Sequence, residues 1–513
     1  MDKTNYSYVK VSAGLIFTLC MMLCVMSCDR IDNPIRYGGS GGKITPTVQQ
    51  VVETVVNVTG ANPSDVSAAL GAIVTNEAVA AAAAKGEPIK VTVAGSGVST
   101  DATDQTITIP QANGANIEIS FATAPTTSNT NPLEFTASSG AAAASGSATN
   151  ILAIEMPTTT GLVITIELPK TTVVLATNGA GAVTYNKITA KTATNTLIVN
   201  NGITIKDLTV EGGNVVIQGG KIDNVTIAEN QDITFTYDGS STENMTIGAG
   251  ASVRFNPYQS EDIYEENHPK IKTIIGDEGK TAKFYLPRFD RGPKPGEVPA
   301  EEVWEKYGNR LKGIEKISNC KVLVEEGDVT KGTDFTNVIF DNCELNGNNY
   351  LEGLYYNLQS LEWPEGNTIT FNNCTFNFNA MGFMSPNLNE DHSTATLEFN
   401  NCTFKEGINI YQFAQWANAV INQNYTITFK FTNCKLGTAD ITSSNFVSNG
   451  PENPGLIPGW ALIEEPRYVE DQDLGGGYFI HAIYQIGEDK YVWKNVSETE
   501  EPNWQLKAYT PPV

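Results

Sequence analysis

The sequence predicts a mainly β chain: a solenoid of stacked coils, with a small helical and β module on its N-terminal side and a β-hairpin at its C-terminal end. Three observations predict it. The first is a six-residue pattern (apolar, any residue, Asn, Cys, any residue, apolar) that occurs five times. The copies are Ile317–Val322, Phe340–Leu345, Phe371–Phe376, Phe399–Phe404 and Phe431–Leu436. Their cysteines are 23, 31, 28 and 32 residues apart, and a fixed core with variable spacers marks coils that stack on their neighbours. The second is the short alternating runs beside each Asn-Cys, such as Thr368–Phe371 and Ala395–Phe399. A period of two places every second side chain on one face, as in a strand. The third is a weaker repeat upstream. Asp207-Leu-Thr209-Val210, Asn224-Val-Thr226-Ile227 and Asn244-Met-Thr246-Ile247 recur after 17 and then 20 residues, with Gly212-Gly213, Gly219-Gly220 and Gly248 at the breaks.

Residues 1–27 read as an export signal. Lys3 and Lys10 precede an apolar run from Val11 to Met26, which is short for a membrane span. The run ends Val25-Met-Ser-Cys28, and Gly38–Gly42 lies in the following 28–44, which read as a flexible tether. A plain signal peptide that happens to end in Cys is the competing reading. Removing residues 1–27, with Asp2, Lys3 and Lys10, takes the net charge from −24 to −25. That acidity argues against nucleic acid and against an anionic lipid surface as partners.

Residues 45–190 read as an N-terminal module, helical and then β-rich. Val48, Val51, Val52, Val55 and Val56 recur at helical spacing, and Asn62-Pro-Ser-Asp65 signals a helix start before Val66–Ala84. Two helices there would cover the open edge of the stack; a separate helical module is the alternative. Ile89–Val93, Thr106–Ile109, Ile117–Phe121 and Leu162–Leu168 are strand candidates. They fit a β-rich, sandwich-like module, favoured here, or an irregular opening of the solenoid.

The solenoid proper is expected over 191–440, interrupted by an insertion at 256–315. That insertion carries six acidic residues (261, 262, 265, 266, 277 and 278), a Pro-rich stretch at Gly292–Pro299 and a helix candidate at Ala300–Leu311. In residues 441–513 the repeats stop. Tyr478–Tyr484, Gly487-Glu-Asp and Lys490–Trp493 have the pattern of a hairpin cap.

In each repeat the Phe and the Cys are expected to point inward while the Asn turns the corner, because Asn tolerates the left-handed backbone region. Asn319, Asn342, Asn373, Asn401 and Asn433 then form a ladder of stacked amides. Cys320, Cys343, Cys374, Cys402 and Cys434 form a column of buried thiols. Parallel in-register side chains do not offer the crossed geometry of a disulfide, and metal binding is the least favoured reading. Coils with such corners resemble the right-handed parallel β-helix of the pectate-lyase-like architecture.

The lipobox-like end at Cys28, the acidity and the repeats together resemble the β-helical surface lipoproteins of Bacteroidetes-type bacteria. The resemblance implies export, lipidation at Cys28, anchoring to the outer membrane at the cell surface, and a role in adhesion or glycan capture. Contact with the membrane would then be through the lipid alone.

A lyase of the pectate-lyase-like architecture would need a cationic base, yet there is no Arg between Lys316 and Asp440. The three His residues (268, 392 and 481) lack a Gly-His-Gly setting. Glu390-Asp391-His392 is the nearest carboxylate group, and neighbouring polar residues on a loop are more often solvated turn chemistry. No catalytic residue is therefore assigned, and a divergent polysaccharide lyase or glycoside hydrolase stands as the alternative. No phosphate-binding loop, Cys-x-x-Cys or His-Glu-x-x-His occurs in the mature chain, so no cofactor and no metal is expected. Candidate ligand contacts are Tyr355, Tyr356 and Trp363, with Tyr411 and Trp416 two coils later, rings suited to stacking on sugars or on a partner protein. Rings that merely fill space under long loops are the competing reading. The expected partner is a polysaccharide or a host or cell-surface protein; a purely structural fibre is a third possibility.

Overall fold

The computed structural model describes residues 53–57, 62–74, 88–95, 97–110, 116–137, 151–191, 196–238, 241–256, 270–286, 313–324, 337–346, 367–377, 380–384, 394–405, 409–413, 425–443, 469–470, 477–478, 480–495 and 504–509. The signal segment, the tether and the helix expected at Ala300–Leu311 lie outside them.

The protein is mainly β. Its described strands assemble into two long sheets of 16 strands each, and from Ile89–Ala94 to Lys435–Leu436 the strands of these sheets alternate between the two along the chain. In the first sheet, parallel pairing runs from Glu53–Asn57 on Ile89–Ala94 to Thr403–Phe404 on Lys435–Leu436. In the second it runs from Thr106–Ile109 on Leu133–Ala137 to Tyr425–Thr432 on Ile480–Ile486. Alternation of parallel strands between two sheets is compatible with a solenoid whose coils each give one strand to either side. Ala380–Met384 and Asn409–Phe413 form a short parallel sheet of their own.

Alternation in the sequence becomes the core directly. Ile203, Ile205, Leu208 and Val210 are buried, as are their partners Ile222, Val225 and Ile227 one strand on. Each such side chain, fully buried, contributes about 1.5–3 kcal/mol. Toward the C-terminal end the core turns aromatic. Phe340, Phe371, Phe399 and Phe431 stack with ring centroids 4.8, 5.1 and 5.0 Å apart. Phe376 and Phe404 stack at 4.6 Å and meet that column edge-on.

The passage from the second sheet to the first turns on a left-handed residue. In the Asn-Cys coils this is Asn319, Asn342, Asn373, Asn401 and Asn433, all with φ between 52° and 57°. Asn342 donates from Nδ2 to Asn319 Oδ1 at 2.8 Å, and Asn401 to Asn373 and Asn433 to Asn401 at 3.4 Å. Main-chain bonds pass through the same corners: the amides of Asn342, Asn373 and Asn401 donate to the carbonyls of Asn372, Asn400 and Thr432. Side-chain amide bonds thus join Asn319 to Asn342 and run from Asn373 through Asn401 to Asn433, and the thiols beside these corners are buried. A β-branched residue resists this backbone region by about 1–2 kcal/mol, and the amide contacts add to that. Asn401→Val is therefore expected to cost about 2–3 kcal/mol and Asn401→Gly less than half as much, read as shifts in a urea midpoint. Equal shifts for the two variants would refute the corner geometry.

Three expected boundaries are corrected. The valines from Val48 to Val56 do not make a helix over their described part: Glu53–Asn57 is a strand, with Val55 and Val56 opposite Thr92 and Val93. Their β-branched side chains suit a pleated edge better than a helix. The helix is Pro63–Val74, capped by Asn62, whose Oδ1 accepts from the Asp65 amide at 3.3 Å. It lies along Thr106–Ile109, with the Thr108 amide donating to Ser67 Oγ at 2.8 Å, and so covers the open edge of the second sheet.

Residues 88–190 form no separate sandwich-like module. Their strands belong to the same two ladders, which cross residue 190 unbroken. The insertion expected at 256–315 contains a further pair of ladder strands, Lys270–Ile275 and Lys283–Leu286. Asp277 Oδ1 closes the turn between them by accepting from the amides of Thr281 and Ala282. At the C-terminal end Ile480–Ile486 continues the second sheet in parallel, then Asp489–Asn495 and Trp504–Ala508 follow antiparallel, the hairpin read from the sequence.

Candidate functional site

Of the aromatic side chains named as ligand contacts, Tyr355, Tyr356, Trp363 and Trp416 lie outside the described residues, as do Cys28 and Glu390-Asp391-His392. The backbone of Tyr411 pairs with Gly382 in the short third sheet. What the described residues do present is a polar outer face, an acidic cluster and the thiol column.

The outer face follows from register. Outward positions of the second sheet align as Thr165, Thr189, Thr209, Thr226 and Thr246. Beyond Ile275 and Ser318 the same row continues through Asp341, Asn372, Asn400 and Thr432. Neighbours in the row are one strand spacing apart, about 4.8 Å. A second row beside it holds Lys187, Asp207, Asn224 and Asn244. Asn224 Nδ2 donates to Asp207 Oδ1 at 3.0 Å, and Asn244 Nδ2 to Asn224 Oδ1 at 2.9 Å. Asn400 Nδ2 donates likewise to Asn372 Oδ1 at 3.0 Å. These amides are oriented before any ligand arrives. Thr226 and Thr246 are exposed, leaving hydroxyls able to donate and accept.

The acidic cluster sits on the outer side of the first sheet. Lys90 pairs with Glu118 one strand on, and Thr92, Ser120 and Glu155 form the adjacent row. Lys90 Nζ lies 2.8 Å from Glu118 Oε1. Glu155 faces outward yet is only 3% exposed, and its Oε1 has no hydrogen-bond partner. Burial, reinforced by the charge of Glu118, pushes its carboxyl up to about 7, against a smaller opposing hydrogen bond from Ser120. The sequence reading missed this group. The signal was there in Ala153-Ile154-Glu155-Met156, a carboxylate inside an apolar run.

The five thiols are buried and unbridged. Cys343, Cys374, Cys402 and Cys434 each donate to a main-chain carbonyl of the preceding coil: Ile317, Phe340, Phe371 and Phe399, at 3.1–3.5 Å. Burial pushes Cys320 and Cys374 far from thiolate formation. Cys434, last in the column, is held below an ordinary thiol by the Cys402 thiol beside it.

No protein family, no curated protein and no solved structure matches the chain.

Proposed function

We propose that the two sheets are faces of a right-handed parallel β-helix, and that this helix displays a binding surface for polysaccharide on an exported, lipid-anchored protein without catalytic activity. The observation that carries the reading is the in-register outer face of the second sheet. The Asp207 carboxylate, the Asn224 and Asn244 amides and the hydroxyls of Thr226 and Thr246 repeat at one strand spacing, and an extended glycan also offers hydroxyls at a regular repeat. Side chains already ordered by ladder bonds lose little further entropy on binding. Tyr355, Tyr356, Trp363, Tyr411 and Trp416 are the further candidate contacts, through stacking on sugar rings. A protein on a host or neighbouring cell is the other partner this display suits.

The test is a glycan-array screen of the full chain in detergent, with mass spectrometry of any ligand after incubation. The reading expects binding with the glycan returned intact, and binding weakened by Thr226→Val combined with Thr246→Val. Failure to bind any polysaccharide would overturn it.

The alternative, a divergent lyase or hydrolase, needs a general acid with a raised pKa that substrate can reach; Glu155 beside Glu118 meets the first requirement and, at 3% exposure, not the second. New unsaturated or shortened oligosaccharides, lost in Glu155→Gln, would establish it. The anchor is tested separately. Cys28→Ala is expected to move the protein from the membrane fraction to the soluble fraction; retention would refute lipidation at Cys28. Among the described residues no helix is long and apolar enough to cross a membrane.

A further inference from the structure

We propose that the thiol column is a binding site for a soft monovalent cation of the Cu+ type, held linearly between the sulfurs of two successive coils. The inference rests on register and is independent of the glycan reading.

Main-chain bonds fix the cysteines coil on coil: Glu344 N to Cys320 O, Thr375 N to Cys343 O, Thr403 N to Cys374 O and Lys435 N to Cys402 O, all 2.8–2.9 Å. Equivalent atoms of successive coils are therefore separated by about 4.8 Å. The Cβ–Sγ bonds point into the core, across the stack axis, so neighbouring sulfurs face one another along it. A disulfide needs Cβ atoms about 3.8 Å apart and a torsion near 90°, which parallel side chains do not supply. A two-coordinate metal has different needs. On the scale of the zinc–thiolate bond, about 2.3 Å, two metal–sulfur bonds in line span about 4.6 Å, close to the gap, and each makes a near-perpendicular angle with its Cβ–Sγ bond. Soft thiolate ligands favour Cu+ and Zn2+, and of these Zn2+ takes four ligands in structural sites, more than the two sulfurs that face one gap.

The charge also balances. Because burial holds the protons on these thiols, it is the arriving cation that displaces one: one thiol releases H+ and binds as thiolate, while the second binds as neutral thiol through a lone pair. The site Cys–S–Cu–S(H)–Cys is neutral, as a dry core requires. What is given up is a pair of long S–H···O contacts to carbonyls. Entry is from the Cys434 end, where the thiol is 4% exposed against 0–1% for the others.

A sulfur bound to one cation along the axis does not hold a second directly opposite, because its lone pairs do not point in opposite directions. Each thiol therefore serves one gap, and five thiols hold two cations. This gives a parity rule. Removing the third thiol leaves two intact pairs, Cys320–Cys343 and Cys402–Cys434, and a capacity of two. Removing the fourth leaves Cys434 alone and three thiols above it, with a capacity of one.

The experiment uses the full chain with Cys20→Ser, Cys24→Ser and Cys28→Ser, in detergent, reduced and without oxygen, titrated with Cu+ from a buffered donor. Native mass spectrometry is expected to count two Cu+ in this background, two after Cys374→Ser and one after Cys402→Ser. One proton should be released per cation, and X-ray absorption should report two sulfur neighbours. Circular dichroism verifies that each variant keeps its sheets, with Cys374→Ala and Cys402→Ala replacing any serine variant that does not. Equal counts in the two single variants, three or more sulfurs per ion, or uptake only with loss of sheet signal would overturn the proposal.

Discussion

Phe371→Asp is expected to abolish the folding of the Asn-Cys coils. Phe371 is fully buried, stacked between Phe340 and Phe399 and edge-on to Phe376. Truncating such a ring to Ala costs about 3–5 kcal/mol. Asp adds the desolvation of a carboxyl with no partner, which takes the total beyond about 5 kcal/mol. Because each coil is stable only against its neighbours, the loss should spread through the adjacent aromatic coils. Thermal melting followed by circular dichroism should lose its cooperative transition in this region. Phe371→Leu keeps an apolar filler and should melt a few degrees lower at most. An unchanged curve for the Asp variant would refute the inward position of this column.

The second large effect is in pH. Glu155 has its folded carboxyl raised from the ordinary 4.5 to about 7. Its contribution is therefore fully present below about 4.5 and is lost as pH rises through about 7, where the folded protein must bury a charge that the unfolded chain leaves in water. At 1.36 kcal/mol per pH unit the change amounts to about 3 kcal/mol. Other carboxylates titrate over part of the same range, so the informative quantity is the difference between wild type and Glu155→Gln. The Gln variant should gain on the wild type by about 3 kcal/mol between pH 4.5 and pH 8. A difference that stays flat across that window would show that Glu155 is hydrated in the folded state.

The sequence was most informative where one residue type does one job in every coil. The five Asn corners were legible because Asn alone fills them, and each has the left-handed backbone expected of it. Upstream the same corner exists but changes its residue: Lys170, Gly213, Asn230, Gly250 and Lys280 carry the positive φ there. Gly accepts that conformation without cost, and Lys170 and Lys280 adopt it as single residues against a modest penalty. No fixed corner residue therefore marks the coils before 317: those around 207–247 were read as solenoid from their recurring Thr, while the strands within 88–190 and 270–286 were read as a separate module and an insertion. Glu53–Asn57 was misread because valines at helical spacing also fit an edge strand, and only its partner, Lys90–Ala94, decides between them. The outer face was half legible: the recurrence of Thr was seen, while its alignment with Asn372, Asn400 and Thr432 needs the register.

Strands stacked in register across an axis also determine how the molecule bears load. Tension applied along the stack meets the ladder bonds of one coil at a time, so rupture proceeds in sequence instead of all at once. Each rupture in the Asn-Cys region frees the 23, 31, 28 or 32 residues between successive corners, about 75–115 Å of extended chain. The variable spacers thus set unequal steps of extension, and the chain yields progressively while the coils not yet reached keep their shape.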